Sequence, residues 1–352
     1  MANVTVKTPK KRGGKIDSES LTIIEQLTLL KLEYARDFLT AHEQPRSGER
    51  EMVRLRLIEL LEAEPGLKTE LRALLDELDA WGNQRVRLRH LPAELLEGFD
   101  SRQGVTKKAG AVGMSELLDR DVDLVPPEKL TPMSISYAER GGAQFLRLVA
   151  AKTRVLLTPE PDTEEVIFKE YPGIVFRPFR KETHKAVNFA EINLGTGHTI
   201  ISSPLLRPGF AFTSDFEEFY AAFNPLINLR RAAQLSLYDA TNNIRYTLKS
   251  NEVRIRARRA RTNVGGTVTI RSQGPEADVR SDVQLLKVEN AVRNARHPFC
   301  NCYWEAAEGL PETVHTHVLA TEGEIVIMGQ VREKSARYVL QRIHAINRKE
   351  SV

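Results

Sequence analysis

Apolar residues recur at helical spacing through the first part of the chain. Between residues 21 and 80 they return every three or four positions in three stretches, which are separated by residues 44–48 and by Pro65-Gly66. This spacing predicts three helices. Residues 84–89 instead alternate between polar and apolar side chains, which predicts a strand with three arginines on one face. Those arginines are Arg85, Arg87 and Arg89.

From about residue 133 the pattern is mainly that of strands. Short apolar or alternating runs occur at 145–150, 154–157, 166–168, 174–176, 187–194, 199–201, 245–248, 252–260, 267–271 and 324–328. Helical spacing returns at 216–226, 281–296 and 334–347. Because runs of strands follow one another without regular alternation with helices, the predicted fold class is α+β, with a mixed, mainly antiparallel second domain.

These patterns divide the chain into four parts. Residues 1–20 are polar and basic, and we expect a disordered arm there. Residues 21–97 form a predicted small helical domain, and residues 98–132 have little periodicity and are interpreted as a linker or long loop. Residues 133–352 form the predicted α+β domain.

The clearest local motif lies in residues 29–61. It contains Leu30-Lys31-Leu32, Ala35-Arg36 and Leu39, then Pro45-Arg46-Ser47-Gly48-Glu49-Arg50, and finally Val53, Arg56-Leu57 and Leu60-Leu61. This pattern resembles the SAP domain, a small helix–extended turn–helix module, over about a tenth of the chain. Ser47 is a candidate cap of the second helix, and Gly48 would allow close approach of a partner.

The resemblance implies binding of double-stranded DNA with little base specificity. The residues at the matching positions are Arg36, Ser47, Gly48, Arg50 and Arg54. The sequence departs from the usual basic second helix, because glutamates accompany the arginines there and would repel phosphate. These are Glu49, Glu51, Glu59, Glu62 and Glu64. The alternative is a helical unit used for packing or for protein contacts.

Positive charge is concentrated in residues 245–271, which carry eight Arg and Lys against a single Glu, a net charge of +7. The formal charge of the whole chain is only +4, so the remainder is slightly acidic. In the predicted strand 252–260, arginines alternate with apolar residues and would line one face. The cations of the segment are Arg245, Lys249, Arg254, Arg256, Arg258, Arg259, Arg261 and Arg271.

An arginine face of this kind suits phosphate contacts, because the guanidinium group presents a planar fork of donors. Thr267, Thr269 and Arg271 would continue it on the paired strand. The segment contains little aromatic interleaving, so it does not predict stacking on single-stranded bases. We therefore expect a nucleic-acid partner, with duplex DNA as the favoured form, and an acidic protein is the alternative.

Two cysteines and three histidines lie close together at the positions His297, Cys300, Cys302, His315 and His317. They could supply zinc ligands, although the Cys-x-Cys spacing matches no standard finger. The alternative is that both cysteines are small buried apolar residues. No complete catalytic constellation is present in the sequence, and no cofactor is expected; a zinc-dependent enzyme is the remaining hypothesis.

The overall composition excludes several classes of protein. Two cysteines in 352 residues exclude a disulfide scaffold. No run approaches the roughly 20 apolar residues of a membrane span, and the first residues lack a signal-peptide pattern. We therefore expect an intracellular protein without a membrane partner, cytoplasmic in a prokaryote or nuclear in a eukaryote. Its expected role is nucleic-acid binding or scaffolding, or that of an interaction subunit in a larger complex.

Overall fold

The computed structural model describes residues 16–159, 179–205, 212–262, 265–274, 276–292 and 295–347. The chain forms two compact units, Met1–Leu78 and Asp79–Val352. Most of the predicted basic arm, and the predicted strands at 166–168 and 174–176, lie outside the described residues.

The first unit is helical. Its helices are α1 (Ser18–Leu29), α2 (Leu32–Ala41) and α3 (Arg50–Ala63), and α4 (Lys68–Trp81) begins in it. The Asp17 side chain caps α1 by accepting a hydrogen bond from the Ser20 amide at 2.8 Å. Ile24, Leu39, Leu57 and Leu75 are fully buried, so the leucine periodicity of the sequence forms the core of this unit.

The second unit is built on one large antiparallel sheet with eleven strands among the described residues. They are β1 (Gln84–His90), β2 (Thr131–Arg140), β3 (Ala143–Pro159), β4 (Phe179–Asn193), β5 (His198–Pro204), β6 (Ala233–Gln234), β7 (Val253–Arg261), β8 (Thr267–Arg271), β9 (Arg296–Trp304), β10 (Val314–Leu319) and β11 (Glu324–Met328). Their order is β2-β3-β4-β5-β1-β11-β10-β9-β7-β8, and β6 pairs with β1. The predicted α+β class is confirmed.

The described part of the second unit also contains five helices. They are α5 (Arg102–Ala111), α6 (Phe212–Phe223), α7 (Tyr238–Thr247), α8 (Val283–Ala291) and α9 (Glu333–Asn347). Ile244 of α7 and Leu340 of α9 pack with Cys302 and Trp304 of β9 in one core. Helices α5 and α6 pack in a second core with residues of β2–β5, such as Leu148.

The two cores use opposite sides of the strands. In β3, Val149 belongs to the first core, whereas its neighbours Leu148 and Ala150 belong to the second. Strands β7–β10 contribute residues to the first core only. The side chains on the other side of β7–β10 therefore belong to neither core.

Three sequence predictions need correction. The predicted linker 98–132 contains α5, where Ser101 accepts a hydrogen bond from the Gly104 amide at 3.1 Å and Val105 and Ala109 are buried. Residues 245–248 were predicted as a strand, but 245–247 complete α7. The strand predicted at 84–89 falls within the predicted helical domain 21–97, but in the structure it is β1 and lies in the middle of the large sheet, between β5 and β11. Its partners are distant in sequence, so the local pattern could not show this.

Within the described ranges, no helix combines the length and apolar character needed to cross a bilayer.

Candidate nucleic-acid interface

The side of β7–β10 that faces away from the first core carries a continuous set of arginine and aromatic side chains. Arg254 of β7 is directly opposite Tyr303 of β9, which is opposite His315 of β10. Directly opposite residues in antiparallel strands point to the same side. We call this surface the open face; it comprises Arg254, Arg256, Arg259, Arg271, Phe299, Asn301, Tyr303, His315 and His317.

A register irregularity in β7 determines which arginines reach the open face. The pairing with β9 shifts between Ile255 and Ala257, so the strict alternation of the sequence is interrupted at Arg256. The guanidinium groups of Arg254 and Arg256 both lie over the Tyr303 ring, at 5.1 and 5.9 Å from its centroid. Beyond the shift, Arg258 points to the opposite side of the sheet.

Aromatic rings from β9 and β10 lie between and beside these arginines. The Tyr303 and His315 rings are stacked with centroids 4.1 Å apart. Arg259 lies 5.6 Å from the centroid of Phe299, and the Phe299 and His317 rings are 5.4 Å apart. The sequence of the basic segment alone did not predict this, because the rings come from strands that follow it in the chain.

Five arginines at this face and its adjoining edge have no carboxylate partner among the described residues. They are Arg256, Arg259, Arg261, Arg271 and Arg296. Arg254 is different, because it pairs with Glu276 and also with Glu305 at 2.8 Å. Arg271 is exposed opposite Ala257, and Thr269 opposite Arg259, so β8 continues the face as the alternation predicted.

Two predicted site arginines are structural. Arg258 and Arg245 both pair with Glu289 of α8, at 3.2 and 2.5 Å, and all three side chains are buried. Arg258 also donates to the Thr241 carbonyl oxygen at 3.0 Å. The prediction that Arg258 and Arg245 contact nucleic acid is therefore wrong, because the register shift and helix α7 turn them into the protein. Lys249 is exposed just before β7.

The arginines of β1 lie on the same side of the same sheet as the open face. The register Arg87–Glu324–Leu319–Phe299–Arg259 runs directly across β1, β11, β10, β9 and β7. However, the buried Glu324 carboxylate binds both Arg85 and Arg87, the latter at 2.7 Å. Arg87 also lies 3.8 Å from the Phe216 ring centroid, and Arg89 donates to the Ala232 carbonyl oxygen. These arginines are occupied within the protein and do not extend the basic surface.

The SAP-like segment places its candidate residues on and before α3. Gly48 has φ of +119°, which favours glycine, and its carbonyl oxygen accepts a hydrogen bond from Arg36 at 2.8 Å. The predicted cap by Ser47 is wrong, since Glu49 occupies the N-cap position and makes no side-chain cap hydrogen bond.

Glutamates neutralise most of the SAP-like cations. Arg36 pairs with Glu33 at 2.8 Å, and Arg54 pairs with Glu51 at 3.0 Å. Arg50 is exposed and has no carboxylate partner among the described residues. The acidic residues noted in the sequence therefore reduce the phosphate-binding capacity of this segment.

The cysteines and histidines of the zinc hypothesis do not converge. Cys300 and Cys302 are buried in the first core, with their sulfur atoms 3.6 Å apart. His315 and His317 flank Thr316, which pairs with Cys302, and they point to the open face on the other side of the sheet. Across the described ranges, no group of three or more His, Cys, Asp or Glu could hold a metal ion.

The open-face histidines are uncharged at neutral pH. Burial, with the nearby His317 and Arg256, lowers the pKa of His315 to about 4. Burial likewise lowers the pKa of His317. The Nε2 atom of His315 lies 2.9 Å from Oδ1 of Asn301, so the neutral ring donates a hydrogen bond there. The permanent positive charge of this surface therefore comes from its arginines.

A separate cavity of about 280 Å³ lies beside α9 and is lined by Glu191, Arg337, His198 and His344, among others. Burial alone would raise the pKa of Glu191, but the hydrogen bonds and charge of Arg337, with Arg140 and Arg147, hold it below its usual value. Both carboxylate oxygens of Glu191 are bound by Arg337. This carboxylate is thus a paired structural anion and a poor proton donor.

Sequence reasoning missed Phe299, Tyr303 and Arg296 as members of the basic surface. For Phe299 and Tyr303 a signal was present, because in 299–304 Phe299, Asn301 and Tyr303 alternate with the buried Cys300, Cys302 and Trp304. Only knowledge of the sheet order shows that this strand lies next to β7.

Comparison with known proteins gives no further assignment, since no protein-family model and no curated protein matches the chain.

Proposed function

We propose that this chain binds nucleic acid through the open face, mainly by phosphate contacts and with weak sequence selectivity. The observation that carries the proposal is a row of arginines on one sheet surface with no carboxylate partner in the described part of the chain. Arg256, Arg259 and Arg271 are its central members. A cationic surface left uncompensated by the protein itself is suited to an anionic partner.

The chemistry of these cations favours phosphate. Arginine binds phosphate oxygens through a planar fork of N–H donors, and it remains charged at every physiological pH. The rings of Tyr303 and Phe299 lie close to the guanidinium groups of Arg256 and Arg259. Such cation–π contacts hold the arginine side chains in place, which reduces the conformational entropy lost on binding.

The arrangement supports weak selectivity for sequence. Phosphate contacts fix the position of a nucleic acid and carry no sequence information. The SAP resemblance implies duplex DNA as the ligand. The aromatic rings beside the arginines extend the expected ligands to single strands, since open sheet surfaces with such rings are suited to splayed bases.

The test is a binding titration by fluorescence anisotropy with duplex and single-stranded oligonucleotides over a series of salt concentrations. The variant combines Arg256→Gln, Arg259→Gln and Arg271→Gln. Each lost phosphate contact lowers the slope of log affinity against log salt by about 0.9 for duplex DNA, so the triple variant should lose roughly 2 to 3 in slope.

A matched control removes three charges elsewhere. Arg46, Arg102 and Arg231 are exposed and each already pairs with a carboxylate. The combined Gln variant of these residues has the same net charge as the test variant, and we expect it to keep the wild-type slope. Equal slopes for all three proteins would remove the open face from the proposal. Absence of any binding at low salt would favour the alternative, an acidic protein partner.

A further inference from the structure

A second cavity lies at the edge of the open face, where three strands begin or end. Arg261 is the last residue of β7, Thr267 the first of β8 and Arg296 the first of β9. Together with Arg259, Tyr238 and Thr321 they line a cavity of about 630 Å³. This volume exceeds what a simple ion needs and has room for a phosphate together with the sugar that carries it.

The charge of this cavity is uncompensated. Arg261 and Arg296 are directly opposite each other in the β7–β9 pair. Like charges at directly opposite positions destabilise a sheet. Arg259, two residues before Arg261, adds a third cation, and no acidic residue of the described chain lines the cavity. Three cations that repel one another in this way suit a ligand that carries more than one negative charge.

The remaining polar groups are hydroxyls. The Tyr238 hydroxyl lies 3.2 Å from the Thr321 hydroxyl, and Thr267 is exposed at the start of β8. A phosphate monoester has three terminal oxygens and a charge of about −1.5 to −2 at neutral pH. Three guanidinium forks with hydroxyl donors match that group better than the single charge of an internal phosphodiester.

Arg259 connects the cavity with the open face. Arg259 is one of the residues that line the cavity, and its guanidinium lies 5.6 Å from the Phe299 ring centroid on the open face. We propose that the cavity binds the terminal phosphate of a nucleic-acid strand whose adjoining nucleotides lie along the open face. This inference rests on the proposed function and assigns the chain a preference for phosphorylated strand ends.

The experiment compares oligonucleotides of one sequence that carry a 5′ phosphate, a 3′ phosphate or hydroxyls at both ends. Affinities are measured by anisotropy from an internal fluorophore. A phosphate held by charged hydrogen bonds should strengthen binding roughly tenfold or more for one of the two phosphorylated ends. In the Arg261→Gln and Arg296→Gln variants, that oligonucleotide should bind no better than the hydroxyl-ended one.

Arg271→Gln is the matched control, because Arg271 belongs to the open face but does not line the cavity. We expect it to weaken all three oligonucleotides by the same factor and to preserve the preference for the phosphorylated end. Thermal unfolding of each variant confirms that it is folded. Equal binding of all three oligonucleotides by the wild-type protein would overturn the terminal-phosphate inference and leave the proposed function intact. Failure to bind any of them, both as single strands and as duplexes with the complementary strand, would overturn both.

Discussion

The guanidinium of Arg258 lies 3.2 Å from the carboxylate of Glu289, and both side chains are only 1% exposed. Arg245 binds the other oxygen of the same carboxylate. A buried ion pair of this kind contributes little net stability as a whole, but removal of one partner leaves uncompensated buried charge. In this network the charge of one glutamate compensates two arginines, so we expect its removal to destabilise the protein more than removal of either arginine.

We therefore expect Glu289→Gln to lower the free energy of unfolding by about 3–5 kcal/mol, as measured by urea denaturation. Glu276→Gln is the control, because Glu276 also pairs with an arginine, Arg254, but is 85% exposed. An exposed pair contributes about 0–1 kcal/mol. Similar losses in the two variants would contradict the structural role of Glu289.

Removal of like-charge repulsion at the end of β7 should stabilise the free protein. Arg261→Thr keeps good strand propensity and removes one of two arginines that face each other. We expect a gain of about 0.2–1 kcal/mol in the free energy of unfolding at low salt, and a smaller gain at high salt because the repulsion is screened.

Arg271→Thr provides the comparison, since Arg271 is opposite Ala257 and faces no like charge across the pair. Its stability should stay close to that of the wild type. If Arg261→Thr proved less stable than Arg271→Thr, Arg261 would have a structural role in place of the proposed anion-binding one.

The depressed pKa of His315 predicts a pH-dependent stability. The folded protein holds this ring neutral down to about pH 4, whereas the unfolded chain protonates it near 6.5. The unfolded state therefore binds more protons between these values, and stability falls as the pH is lowered from 6.5 towards 4. His315→Phe retains a ring beside Tyr303 and cannot titrate, so its stability profile should be flatter across this window. Parallel profiles from urea denaturation would contradict the assignment.

The helical unit should contribute little to duplex binding. Of the SAP-like cations, Arg36 and Arg54 are paired with glutamates, and Arg50 is the exposed candidate. We expect Arg50→Gln to lower the salt slope by at most about 0.9, the value of one phosphate contact. The Arg256, Arg259 and Arg271 variant should lose more. A larger loss for Arg50→Gln would move the main duplex contact to the SAP-like segment.

Local sequence patterns predicted the helices and strands better than they predicted which strands lie next to one another. The leucine spacing before residue 80 predicted helices, and the alternation in β7 and β8 predicted two paired strands with a basic face. The runs of strands after about residue 133 predicted the α+β class. Arg258 was misplaced because a register shift in one strand reverses the direction of its side chain. The spacing of arginines in the sequence does not reveal such a shift, because Arg258 is followed directly by Arg259 and either residue could face the open side.

Long-range pairing explains the other differences. Glu324 pairs with Arg85 and Arg87 across more than 230 residues of sequence. The local strand pattern therefore predicted three arginines available for a partner, although two of them are paired within the protein. The Cys and His residues are close in sequence but alternate between two sides of the sheet. The rings of the open face come from β9 and β10, and no local signal in the sequence indicates that β9 pairs with β7.

The position of β11 has a consequence for how the chain folds. It lies between β1 and β10, so it joins a sheet half made of β1–β5 to one made of β7–β10. The seam pairs Gln84 with Ile327 and Arg87 with Glu324, which are contacts of very high sequence separation. Such contacts form late because the entropy of loop closure must be overcome first. During synthesis, the two halves of the sheet therefore stay unjoined until Glu324–Met328 has left the ribosome.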